Sequence, residues 1–117
     1  MKITVDRVGA ATFEARNEQG ATLRMDGPAD MGAPGTSLRP METVLAALAG
    51  CSGIDVVKIL TQQREPLQGL TIEVDGTRKD AIPAVFSDIT VRFVIKGPVA
   101  ENKARRAVAL SLSLIHI

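Results

Sequence analysis

The segment 39–60 constrains the fold most, because it combines the longest apolar run with the only cysteine, Cys51. Pro40 suits the first turn of a helix, where the N–H that proline lacks would have no partner. From residue 44 to residue 60, apolar or small side chains cover nearly the whole circumference, a pattern typical of a buried helix. A polar last turn before Pro66 predicts the end of this helix.

Composition narrows the class of protein. A chain of 117 residues fits one domain. With 14 basic and 13 acidic residues it lacks the concentrated positive charge that nucleic acid or an anionic membrane attracts. Ser52 and Asp55 interrupt the apolar run, which argues against a membrane span. The residue pattern offers neither a cluster of metal ligands nor a phosphate-binding glycine loop, so we expect no metal and no cofactor.

The remaining patterns predict an α+β fold. Alternating residues predict strands at 3–8, 12–15 and 21–25, with a hairpin turn at 17–20 and a connecting loop at 27–37. After the long helix, alternation resumes at 70–75 and at 86–96, which predicts a long antiparallel hairpin. Asp75-Gly76 predicts a turn or bulge, and 79–84 a loop. A second helix is expected from Glu101 to Leu110, with Ala104, Ala107 and Val108 facing inward.

The last six residues, 112–117, form an apolar end without a turn or a capping residue. Their sequence, Leu-Ser-Leu-Ile-His-Ile, resembles the translation of a transposase adapter used in sequencing libraries. We therefore expect 1–117 to be a single domain with an incomplete C-terminal part. In this interpretation 112–117 is a non-native tail, and His116 has no function.

The helix segment 39–57 reads RPMETVLAALAGCSGIDVV. In this segment the chain resembles the OsmC/Ohr family, the osmotically inducible protein C and organic hydroperoxide resistance proteins. The segments 64–70, 83–86 and 106–111 follow in family order, so the resemblance covers nearly all of 1–111. It implies two intertwined subunits, each with a curved antiparallel sheet packed on a central buried helix.

The resemblance also implies a thiol peroxidase acting in oxidative stress defence. In such a homodimer a cysteine thiolate attacks a small organic hydroperoxide and becomes a sulfenic acid. A second cysteine then forms a disulfide, which an external dithiol reductant restores. Cys51 matches the first cysteine, whereas the second, expected a few residues beyond Ser111, is absent from this sequence. An outside thiol would then have to capture the sulfenic acid.

The family supports its thiolate with a glutamate and an arginine. Glu42 is a partial match, because the family glutamate stands ten residues before the cysteine, where this chain has Met41. Nine residues place Glu42 about 180° from Cys51 in an unbroken helix, so a thiol contact requires an irregular first turn. The alternative role of Glu42 is to stabilise the helix dipole. The supporting arginine stays open among Arg16, Arg24 and Arg39.

On the residues alone, Cys51 fits a buried, inert thiol, because apolar neighbours and the carboxylate of Asp55 disfavour a thiolate. The family resemblance favours a redox thiol instead. For Asp55 we expect an ion pair with Lys58, three residues on.

The absence of a signal peptide and of a disulfide framework favours the cytoplasm. Two other functions stay open: a non-catalytic binding protein for a small lipophilic ligand, and an inactive truncated fragment.

Overall fold

The computed structural model describes residues 1–80 and 82–113. Its elements are, in chain order, β1 (Thr4–Arg7), β2 (Thr12–Arg16), β3 (Thr22–Asp26), α1 (Pro40–Gln62), β4 (Gly69–Arg78), β5 (Phe86–Lys96) and α2 (Glu101–Ser113). Antiparallel sheets combined with two helices confirm the predicted α+β class. The chain divides into two compact units, Met1–Val44 and Leu45–Ile117.

The N-terminal unit is built on the antiparallel sheet β1-β2-β3, which confirms the predicted meander. Because side chains alternate along a strand, one face of this sheet carries the charged residues other than Arg7, and the other face carries the apolar ones. Val5, Phe13 and Leu23 are 49%, 43% and 45% exposed. Asn17 closes the hairpin between β2 and β3, since its side-chain oxygen accepts the N–H groups of Gln19 and Ala21.

A buried carboxylate fastens the loop that follows β3. One oxygen of Asp26 accepts the Thr12 hydroxyl at 2.7 Å, and the other accepts the N–H groups of Thr36 and Ser37 at 3.0 and 2.9 Å. The Thr12 hydroxyl holds the pKa of Asp26 below its ordinary value, and the backbone donors add to this against the effect of burial. The 27–37 connector is thus an ordered loop, with a short 3₁₀ turn at Ala29–Met31.

In the C-terminal unit, β4 and β5 pair as the predicted long hairpin, from Gly69 opposite Lys96 to Arg78 opposite Phe86. The turn or bulge predicted at Asp75-Gly76 is wrong at that position, because β4 continues to Arg78 and its irregularity falls after Thr77. A Cβ at Gly76 would lie 2.6 Å from the Phe86 ring, so this glycine makes room for an aromatic ring. The predicted 79–84 loop includes Ala81, which lies outside the described residues.

The core of this unit lies where both helices meet the hairpin. Val56, Leu60 and Ala107 are fully buried. Partly buried side chains pack around them: Ile59, Leu67, Leu70, Phe93, Ile95, Val99 and Val108. Within one chain, however, only one face of α1 is covered, and Ile54 and Val57 stay 72% and 43% exposed. By length and composition alone α1 could cross a membrane, but core helices of water-soluble proteins pass the same test.

A side chain after α1 holds the start of α2. Glu65 accepts the Ala100 N–H at 3.3 Å and pairs with Lys103 at 3.1 Å. The ammonium of Lys103 is the main reason that the pKa of Glu65 lies below its ordinary value. The helix then runs three residues beyond the predicted Leu110, to Ser113. Residues 112 and 113 of the expected tail are therefore helical, whereas 114–117, including His116, lie outside the described residues.

Candidate functional site around Cys51

Cys51 is a free thiol on the exposed side of α1. The next two residues, Ser52 and Gly53, are buried. Successive helix residues are about 100° apart, so Cys51 lies at the border between the covered and the exposed faces. A buried thiol, the alternative that the residues alone favoured, is therefore wrong for Cys51 in this chain.

Two contacts fix which face of α1 is covered and leave Cys51 exposed to solvent. At Gly53, an added Cβ would lie 2.9 Å from the Ile72 side chain, so the missing side chain lets α1 approach β4 closely. At Ser52, the hydroxyl lies 3.0 Å from that of Ser111 on α2, and both are fully buried. The two hydroxyls stabilise this contact by hydrogen bonding to each other, because a buried polar group without a hydrogen-bond partner lowers the stability of the fold.

An apolar band flanks Cys51 on one side. It consists of exposed residues of α1: Ala46, Ala47, Gly50, Ile54 and Val57. Small residues at 46, 47 and 50 keep the band flat near the thiol, and Ile54 and Val57 supply the larger apolar area. A contiguous exposed apolar surface of this kind marks an interaction site more often than scattered apolar residues do.

A charged hollow follows Cys51 along α1. It has a volume of about 300 Å³ and is lined by Asp55, Lys58, Ile59, Gln62 and, from α2, Leu110. The three polar residues stand 4, 7 and 11 positions after Cys51, a spacing that places them on the same helix stripe. The ion pair predicted between Asp55 and Lys58 is wrong: no salt bridge joins them in the described part of the chain.

An apolar groove of about 410 Å³ lies elsewhere in this unit, between β5 and α2. Its apolar lining comes from Phe93, Ile95, Ala104 and Val108. An ion pair of 2.9 Å between Glu101 and Arg105 borders it. The groove can accept an apolar molecule, whereas the charged hollow suits a polar one.

Comparison with known proteins places this site in a family. A family model described as OsmC-like protein matches residues 33–114, which include Cys51 and both walls of the charged hollow. The chain belongs to the OsmC-like family. This confirms the family that the sequence resembles.

The OsmC-like chain is 35% identical to the protein YhfA of Escherichia coli K12 over 112 residues, 95% of this chain and 81% of that protein. A hypothetical protein from Aquifex aeolicus VF5 has a similar structure, with a TM-score of 0.81 and 27% identity, over 94% of this chain and 76% of that one. An organic hydroperoxide resistance protein, OsmC, from Legionella pneumophila shares the fold at a TM-score of 0.65 and 17% identity, covering 95% and 82%.

In this OsmC-like chain Glu42 has a structural partner at the start of α1. Its carboxylate accepts the Arg39 N–H at 2.8 Å, the contact that a glutamate at the third helical position makes with the residue before the helix. The hydroxyl of Thr43 also donates to the Arg39 carbonyl. The first turn is thus capped and helical. The catalytic role of Glu42 stays a prediction.

Two arginines of the N-terminal unit, Arg16 and Arg24, have acidic partners on the polar face of its sheet. Arg24 lies 3.0 Å from Glu14, and Arg16 lies 3.5 Å from Asp6. The expected support of the Cys51 thiolate by Arg16, Arg24 or Arg39 stays a prediction. Over residues 1–80 and 82–113, no three His, Cys, Asp or Glu side chains are grouped to hold a metal ion.

Proposed function

We propose that the chain is a cytoplasmic thiol peroxidase that reduces small organic hydroperoxides through Cys51, in defence against oxidative stress. The observation that carries the proposal is the exposed thiol of Cys51, held at the border of a packed helix in an OsmC-like chain. The name of the Legionella neighbour, an organic hydroperoxide resistance protein, supports the same chemistry. Exposure matters because a peroxide must reach the sulfur, and the thiolate is the reacting form.

In the proposed reaction the Cys51 thiolate attacks one peroxide oxygen. The O–O bond breaks, and the alkoxide leaves and takes up a proton to become an alcohol. The sulfur, oxidised by two electrons, carries the hydroxyl as a sulfenic acid. Because the sequence has one cysteine, an external thiol then attacks this sulfur and releases water. A second thiol group, such as the other end of a dithiol, frees Cys51 and carries away the disulfide.

The apolar band next to Cys51 is the proposed homodimer surface. It exposes Ile54 and Val57 to water in the single chain, and burying this area against a second copy would be favourable. Analytical ultracentrifugation tests this: Ile54→Asp should convert a dimer to a monomer. Val85→Asp, at a residue with 45% exposure outside the band, is the matched control and should leave the dimer intact. A dimer that persists in Ile54→Asp would exclude the band as its interface.

Turnover tests the activity. With cumene hydroperoxide as the oxidant and dithiothreitol as the reductant, the wild-type chain should consume peroxide. Cys51→Ser should lower this rate at least about a hundredfold, because it removes the nucleophile. Equal rates in the two proteins would refute the proposed function.

The apolar groove between β5 and α2 favours a second candidate, a non-catalytic binding protein for a small lipophilic molecule. An apolar fluorescent probe such as anilinonaphthalene sulfonate should then bind the folded chain. Ala104→Asp, which adds a charge to the lining of the groove, should weaken this binding, and Cys51→Ser should leave it unchanged. Binding of this kind without peroxide turnover would favour the second candidate over the first.

A further inference from the structure

The charge distribution along α1 singles out one site. Between residues 45 and 62 the only charged residues are Asp55 and Lys58. Both follow Cys51 on its own stripe, at about 40° and 20° to either side of it, because each helix residue advances about 100°. Apart from Glu42 in its first turn, α1 thus carries both of its charges directly beyond the thiol.

Those two charges are available to a ligand. No salt bridge in the described chain joins Asp55 to Lys58 or to another residue, although neighbours at this helix spacing often pair. Both line the charged hollow, together with the Gln62 amide and the apolar side chains of Ile59 and Leu110. A ligand with one ammonium and one carboxylate group satisfies both charges, whereas an anion alone would be repelled by Asp55.

The size of the hollow limits the ligand further. Its volume of about 300 Å³ lies at the lower end for small-molecule sites, which suits an amino acid or a short peptide. Asp55 stands one helical turn from Cys51, a rise of about 6 Å along the axis. A molecule held by Asp55 and Lys58 can therefore extend a short side chain to the cysteine sulfur.

We infer that the charged hollow binds a small zwitterionic thiol of the amino-acid or short-peptide class, which captures the sulfenic acid of Cys51. This inference rests on the proposed function and names the reductant that acts at the same site. The ligand thiolate attacks the Cys51 sulfur, the S–S bond forms, and the S–O bond breaks. Hydroxide leaves and takes up a proton as water. A second molecule of the thiol attacks the ligand sulfur, frees the Cys51 thiolate and forms the disulfide of the two ligand molecules.

The test compares small thiols that carry both charged groups, one of them or neither. The full chain is oxidised with one equivalent of cumene hydroperoxide, and dimedone labelling of a portion measures the sulfenic acid. The remainder reacts with L-cysteine, cysteamine, 3-mercaptopropionate or 2-mercaptoethanol at matched thiolate concentrations, and mass spectrometry follows the mixed disulfide. L-cysteine should react about tenfold faster than 2-mercaptoethanol, the effect of two exposed charge pairs, with the single-charge thiols closer to 2-mercaptoethanol.

Two double variants test whether the faster reaction of L-cysteine depends on the charged hollow. Asp55→Asn combined with Lys58→Gln should remove the advantage of L-cysteine. Asp75→Asn combined with Lys96→Gln, exposed residues on the hairpin, should keep it. Equal rates for the four thiols, or a preference that survives loss of Asp55 and Lys58, would overturn the inference and leave the peroxidase proposal standing. A missing dimedone adduct would overturn both.

Discussion

The hydroxyl oxygens of Ser52 and Ser111 lie 3.0 Å apart in the buried contact between α1 and α2, 59 positions apart in the sequence. Ser111 also lies 2.7 Å from the Val108 carbonyl, which can only accept a hydrogen bond. Because Ser111 has one hydroxyl hydrogen and donates it there, Ser52 must be the donor toward Ser111. The result is a directed chain of hydrogen bonds beside Cys51, from α1 to the backbone of α2.

Removing the acceptor should therefore destabilise the C-terminal unit. Ser111→Ala leaves the Ser52 hydroxyl buried without a partner, which should lower the free energy of unfolding by about 1–3 kcal/mol. Ser113→Ala is the matched control: Ser113 makes the same bond to the preceding turn, but is exposed, and should change stability by less than about 0.5 kcal/mol. Urea unfolding followed by circular dichroism measures both, since the chain lacks Trp and Tyr. Equal midpoints would contradict the buried contact.

Adding a side chain at Gly53 should disturb the packing of α1 on β4. The first added carbon would lie 2.9 Å from the Ile72 side chain, and the branches of valine require further displacement. Gly53→Val should cost about 1–3 kcal/mol, as overpacked cores do. Gly50→Val is the control, because a Cβ at Gly50 meets nothing within 4 Å in the described part of the chain. Urea midpoints that shift equally for both variants would show that α1 does not pack on β4 at Gly53.

The Asp26 carboxylate should make the N-terminal unit sensitive to acid. Hydrogen bonding, with the Thr12 hydroxyl as the largest cause, holds its folded pKa below the ordinary value of 3.8. A lowered folded pKa stabilises the fold above the unfolded pKa, and this stability is lost as the pH falls below 3.8 through the folded pKa. The backbone N–H of Ser37, bonded to Asp26, should then exchange faster with solvent, as measured by NMR.

Asp26→Asn separates this effect from general acid unfolding. The amide has one acceptor oxygen where the carboxylate has two, and that oxygen is uncharged, so it accepts the N–H groups of the loop more weakly. Exchange at Ser37 should already be fast at pH 7 in this variant, and should depend on pH only through the intrinsic chemistry of exchange. An unchanged protection factor in Asp26→Asn at pH 7 would refute the role of the carboxylate.

Local patterns predicted the elements of this fold well. The alternation from Phe86 to Lys96 and the continuous apolar run of α1 are signals that neighbouring residues carry by themselves. Glu42 also carried such a signal, since a glutamate three positions after the residue that precedes a helix is a known cap. The turn expected at Gly76 failed because the reason for that glycine, the ring of Phe86, is ten residues away in sequence.

The geometry of the candidate site could not be predicted from the sequence for a related reason. Because α1 is apolar on nearly all sides, its sequence did not indicate which face packs on the hairpin, and the residues alone therefore wrongly favoured a buried Cys51. The contacts that decide it join Ser52 to Ser111 and Gly53 to Ile72, pairs far apart in the chain. The charged hollow likewise requires Leu110 of α2 opposite Asp55 and Lys58.

The proposed function depends on the reactivity of the Cys51 thiol, which is measured by trapping its sulfenic acid. The chain is treated with one equivalent of cumene hydroperoxide in the presence of dimedone, digested and mapped by mass spectrometry, with Cys51→Ser as the control. We expect one dimedone adduct per chain, on the peptide that contains Cys51, and none in the variant. A wild-type Cys51 that forms no adduct, while iodoacetamide still alkylates it in the folded chain, would contradict the account.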